Sequence, residues 1–138
     1  FWLQSPVIGS SLNAEEAGVE VDIMENFTRD GEFSHNLYHG GYGEDLVGRH
    51  SGPRKISGAL DDYHWFGLDW TPEEYIFYAD GQETFRCGAP VSQREQFILI
   101  STECMGYRRG DQPAPELKQA QLPDAFVVDF VRVYDQIS

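Results

Sequence analysis

The sequence is short of basic residues, of cysteine and of long apolar runs, and each shortage excludes something. Ten Lys and Arg stand against 23 Asp and Glu, a formal net charge of −13. Such a field opposes phosphate or sulfate polymers unless basic side chains cluster, and Arg108 and Arg109 are the only adjacent arginines. A nucleic-acid partner is disfavoured, and a neutral polymer is the easier ligand. No apolar run approaches the ~20 residues needed to cross a bilayer, so no membrane partner is expected. Cys87 and Cys104 are too few to define a disulfide scaffold. They end two expected strands and are expected to be bridged or close together, the alternative being two separate buried thiols. The chain starts at "FWLQSP" without an initiating Met or a basic-then-apolar leader, so it reads as a mature or truncated piece.

What the sequence has is β signal. Aromatic residues make up 14% of its 138 residues, as suits sheets and surfaces that stack on sugar rings. At that length the chain is at most one domain. "FWLQS", "GVEVDIME", "SHNLYH", "YHWFGLDW", "QFILIST" and "AFVVDFVRVYD" all read as strands. In "YHWFGLDW", Phe66, Leu68 and Trp70 alternate onto one face, with Trp70 assigned to the core. "EYIFYADGQETFRC" reads as a hairpin turning at Asp80-Gly81, a pair that tolerates the positive φ of a type I′ turn. The one helical signal is a single turn over "TPEEY", capped by Thr71 with Pro72 at its first position. Residues 108–123 read as a long loop. An all-β sandwich of short strands is the consistent architecture.

The chemistry concentrates in "EVDIME". Glu20 and Asp22 share one strand face, while Val19, Val21 and Ile23 take the other. Strict alternation would turn Glu25 away from the first two acids. One extra residue, a β-bulge, returns it to their face. Three acids brought together could run glycoside hydrolysis, in which a retaining enzyme sets two carboxyl groups ~5–5.5 Å apart. On that reading an ionised Glu20 is the nucleophile, and Glu25, its proton held by acidic neighbours, protonates the leaving oxygen. A solvated polar face is the plain alternative. Calcium binding is the third, against which a strand lacks the looping carbonyls that Ca²⁺ recruits.

"EVDIME" resembles the catalytic motif of the family 16 glycoside hydrolases in their bulged-strand form, Glu-hydrophobic-Asp-x-x-Glu. Further motifs follow in the same order. "YHWFGLDWTPEEYIFYADGQ" is similar to the family's Phe-His-x-Tyr-Gly-Leu-Glu-Trp-Thr-Pro segment and its hairpin. "FVVDFVRVYD" is similar to its closing strand, and "FWLQSP" to the Trp-containing strand ahead of the catalytic one. The resemblance implies a jelly-roll β-sandwich of the concanavalin A-like lectin and glucanase type, with a concave sheet as polysaccharide cleft. It implies retaining endo-hydrolysis without a catalytic cofactor: Glu20 nucleophile, Asp22 assisting, Glu25 acid/base. The extra residue before Glu25 looks more like the laminarinase and agarase branch than the regular E-x-D-x-E branch of lichenases and xyloglucan transglycosylases.

Family members run longer, with strands ahead of the Trp-containing one. Residues 1–138 are therefore expected to be a single partial catalytic domain, completed by missing N-terminal strands or by a complementary chain. A β-1,3-glucan is the expected substrate, with an agarase-type β-galactan hydrolase as alternative. A non-catalytic carbohydrate-binding module on the same fold is the competing class, though it has no need of both Glu20 and Glu25. A transglycosylase differs only in its acceptor. The resemblance places Trp2 and Glu103 beside the cleft as candidate sugar contacts. Tyr38 and His39, before "GGYG", stand where the family often has His followed by an aromatic, so either is a candidate for the cleft face. His35 and His39 are too few ligands for a structural zinc. Asp129 of the closing strand matches the position of a structural calcium ligand in many members. Secretion is expected, since a polymer this large cannot enter a cell.

Overall fold

The computed structural model describes residues 1–28, 30–58, 62–88, 90–102, 110, 112–113 and 115–135. The chain divides into two compact units, residues 1–100 and 101–138. The first unit is all-β and antiparallel, the arrangement of a jelly-roll sandwich. One sheet contains β1 (Trp2–Gln4), β2 (Glu20–Glu25), β3 (Glu32–His39), β4 (Val47–His50), β5 (Arg54–Lys55) and β9 (Phe97–Leu99). Its order is β4-β3-β2-β1-β9, with β5 paired to the far end of β3. The other is the meander β6 (Phe66–Trp70), β7 (Glu74–Ala79), β8 (Gln82–Gly88).

The sheets meet through their apolar faces. Val21, Ile23 and Leu37 from the first, with Val19 just ahead of β2, pack with Tyr75 and Phe77 from the second, and Phe66, Leu68 and Phe85 are partly buried against them. Complete burial of each aliphatic side chain contributes about 1.5–3 kcal/mol, which anchors β2 to the second sheet through Val21 and Ile23. Its opposite face is the one left for chemistry.

The bulge is present. Register runs Glu20↔Tyr38, Val21↔Leu37, Asp22↔Asn36, then Glu25↔Ser34, so β2 holds one residue more than β3 across this stretch. Ile23 and Met24 have no partner on β3, and on the other side Met24 N–H donates to the Phe1 carbonyl at 2.9 Å. The β7–β8 hairpin turns at Asp80 (φ 49°) and Gly81 (φ 76°), as the positive-φ pair requires. It carries a bulge too. Phe77 pairs with Phe85 and Tyr78 with Glu83, leaving Thr84 as the extra residue on β8.

Several expectations are corrected. "TPEEY" forms no helix; Thr71 Oγ1 instead accepts from Glu74 N–H (3.0 Å) and closes the turn between β6 and β7. The short helix is elsewhere, α1 (Ala14–Ala17), capped by Asn13, whose side chain accepts from Glu15 N–H. Trp70 is 38% exposed, at the sheet margin, with its indole N–H on the Ser92 carbonyl at 3.1 Å. "QFILIST", a buried-looking run, supplies β9, which is an edge strand among the described residues with Phe97 and Ile98 exposed. Cys87 is a free, half-buried thiol; Cys104 lies outside the described residues.

In the second unit the expected loop contains a 3-10 helix, Pro115–Gln119. The closing segment, residues 124–135, is not a strand. A strand exists only as part of a hydrogen-bonded ladder, and this segment has none among the described residues. Its Arg132 guanidinium lies 4.2 Å over the Phe130 ring.

Candidate active site

Because β2 is bulged, Glu20, Asp22 and Glu25 all oppose even-numbered residues of β3 and share the face turned away from the core. Asp22 is 4% exposed, and the two glutamates are half-buried. Trp2 pairs with Asp22, so it joins this face from β1.

Each glutamate has its own set of donors. The Tyr42 hydroxyl donates to Glu20 Oε2, and the Gln4 amide reaches the same oxygen at 3.5 Å and also the Tyr42 hydroxyl. Burial, with the hydrogen bond to Glu20 next and its charge after that, raises the Tyr42 pKa well above the usual phenol range. Tyr42 is therefore a dependable donor at any working pH. It reaches Glu20 because Gly40 and Gly41 both take positive φ (82° and 77°), a turn open to glycine and strained for other residues.

Glu25 Oε2 accepts from the Asn36 side-chain amide. Asn36 Oδ1 in turn faces His50 Nδ1 at 2.9 Å, and the His50 ring meets Tyr38 edge-on at 5.3 Å. With the carbonyl end of Asn36 occupied by His50, its N–H end is the one presented to Glu25. A cleft of about 270 Å³ opens beside this end of the site, lined among others by Glu25, Asn36, His50, Phe27 and Pro53.

The sequence candidates divide accordingly. Glu20, Asp22, Glu25, Trp2 and Tyr38 are brought to one face. His39, next to Tyr38, alternates to the opposite face; burial, then the Arg49 charge, lowers its pKa. Glu103 lies outside the described residues. Asp129 is exposed, and no group of three or more His, Cys, Asp or Glu among the described residues is placed to hold a metal ion. Sequence reasoning missed Gln4, Asn36, Tyr42 and His50. For Gln4 the signal was available: it lies two residues from Trp2 and so on the same face.

A sequence model of glycosyl hydrolases family 16 matches residues 1–107. The chain belongs to that family. It is 30% identical over 131 residues to the Beta-glucanase of Rhodothermus marinus, covering 83% of this chain and 44% of that protein. To the Beta-glucanase of Fibrobacter succinogenes it is 29% identical over 133 residues, 91% of this chain and 36% of the other. The chain thus spans less than half the length of these relatives. Among solved structures it is similar to a family 16 protein from a Bacteroides ovatus mixed-linkage glucan locus, in complex with a product. That match has 16% identity and a TM-score of 0.46, over 63% of this chain and 45% of that one.

Proposed function

We propose that this chain carries the catalytic strand of a secreted, retaining, endo-acting hydrolase of a neutral β-glucan, most simply one with 1,3 linkages. The observation that supports the reading is the bulge, which sets Glu20, Asp22 and Glu25 on one face beside an open cleft. Glu20 is the nucleophile. Its carboxylate accepts hydrogen bonds from Tyr42 and Gln4, and donors to the charged form keep a carboxylate ionised. Glu25 is the acid/base. Asn36 holds its Oε2, which leaves Oε1 to protonate the glycosidic oxygen and then to take a proton from the attacking water. Asp22 assists from between them, with Trp2 and Tyr38 as sugar contacts and the exposed Phe27 as a stacking surface at the cleft. The relatives named Beta-glucanase favour a glucan over agarose, which is the second reading.

The test uses the whole protein on laminarin, mixed-linkage glucan, agarose and carrageenan, with product sizing and NMR of the first anomer released. A β-anomer and internal cleavage of a β-glucan are expected. Glu20→Gln should lower turnover by several orders of magnitude with the fold intact, and azide should partly rescue Glu25→Ala. An inverted first anomer, or substantial turnover by Glu20→Gln, would reject the assignment.

A further inference from the structure

Between the two sheets lies a histidine that no catalytic role uses. His35 is 0% exposed, on the core face of β3, and its ring is packed against Phe33, Phe77 and Phe85. A buried imidazole among aromatic rings needs partners for both nitrogens. Its Nδ1 lies 2.7 Å from the carbonyl of Ile23, and its Nε2 lies 2.7 Å from Thr84 Oγ1. Those partners are the off-register residues of the two bulges, Ile23 on β2 and Thr84 on β8.

The chemistry fixes which nitrogen carries the proton. A carbonyl can only accept, so Nδ1 carries the hydrogen and donates to Ile23. A neutral ring then has a bare Nε2, and the Thr84 hydroxyl, which also lies 3.2 Å from the Phe77 carbonyl, gives its one proton to the nearer nitrogen at 2.7 Å. Burial lowers the His35 pKa to about 4, so this neutral form persists at ordinary pH. At the β2 bulge, Met24 takes the backbone contact with Phe1 and Ile23 has no partner on β3. The imidazole therefore supplies a donor to a buried carbonyl (Ile23 is 3% exposed) beside the bulge.

We propose that His35 is a positioning residue: its Nδ1–H clamps the Ile23 carbonyl, locks the β2 bulge, and so sets the direction in which Glu25, two residues on, projects. The proposal rests on the acid/base reading of Glu25. A bulge that relaxed would move Glu25 by a fraction of a residue step, and a misplacement of ~1 Å at a reacting group can cost about a hundredfold in rate.

Three variants of the whole protein separate positioning from packing. His35→Asn can place its amide N–H near the Nδ1 position, whereas His35→Gln places its amide near Nε2. Both lower Tm, but Asn should retain most of kcat, and Gln should lose about a hundredfold in kcat with little change in KM. Thr84→Val removes the far contact, together with the hydroxyl's contact to the Phe77 carbonyl, and should lower Tm with kcat changed no more than a few-fold. Equal kcat in Asn and Gln, or kcat tracking Tm across all three, overturns the proposal. If neither His35 variant folds, ¹⁵N NMR of the wild-type protein decides. A protonated Nδ1 with bare Nε2 supports the clamp, and the opposite tautomer rejects it. Failure of wild-type turnover on every glucan would sink the functional reading alone. The clamp is then read from the backbone amide NMR shifts of Met24 and Glu25, which should move in His35→Gln and not in His35→Asn.

Discussion

Tyr42 shows how one side chain can tune the candidate nucleophile. Its hydroxyl donates to Glu20, and a hydrogen bond to a charged group is worth about 1.5–3 kcal/mol. Removing the donor leaves the charged carboxylate less stabilised, so Glu20 becomes harder to ionise. Glu20 must be ionised to attack. In Tyr42→Phe the acid limb of the kcat/KM profile should therefore move to higher pH. An unmoved acid limb would mean that Tyr42 contacts Glu20 without tuning it. Nothing near Tyr42 in the sequence forecasts this role. The "GGYG" stretch reads as a breaker, and only the fold shows that two positive-φ glycines carry the ring back over a strand more than twenty residues upstream.

At the scale of elements, what was legible in the sequence was what local rules determine. The spacing of Glu20, Asp22 and Glu25 announced the bulge, Asp80-Gly81 announced the hairpin, and Val19, Val21 and Ile23 announced the core face. The illegible elements depend on distant partners. β4 is glycine-containing and β5 is just Arg54–Lys55, with no alternation to mark either, and both exist by pairing with β3. Thr71 was misread because a helix cap and a tight turn use the same side-chain oxygen to hold N–H groups two and three residues on. Asn36 and His50 gave no local sign because their meaning comes from register across three strands. The bulge makes a sharp prediction of its own. Deleting Met24 gives a regular strand in which the three acids still alternate onto one face, so turnover should be reduced but measurable. Inserting one residue between Ile23 and Met24 also restores regular alternation, but it carries the glutamate past its place opposite Ser34 by two residue steps, ~7 Å along β2. Turnover should then fall to the level of Glu25→Ala. Equal turnover in the deletion and insertion variants would show that the position of Glu25 along the strand does not matter.

For the whole molecule, charge and burial set how stability depends on acidity. With a net charge of −13, mutual repulsion opposes the compact state near neutral pH, and it eases only as carboxylates begin to protonate near pH ~4. Above that point the balance of proton uptake belongs to the groups whose pKa burial lowers, His35, His39 and the Phe1 amino group. Unfolded, His35 takes a proton near 6.5; folded, between two sheets, it resists until about 4, chiefly because burial penalises the cation. Between those values the unfolded chain binds more protons than the folded one, so stability rises with pH. Its contribution is complete above about 6.5 and is lost as pH falls towards 4. His39, lowered for the same principal reason, acts in the same direction. Because His35 joins the sheets through Ile23 and Thr84, the loss falls on global unfolding rather than on a fraying loop. The urea midpoint of the whole protein should decline steadily from pH 7 to pH 4.5. His35→Phe, which keeps an aromatic ring but has nothing to protonate, should start lower at pH 7 and decline less. A decline just as steep in His35→Phe would move the acid sensitivity away from His35 and onto the carboxylates.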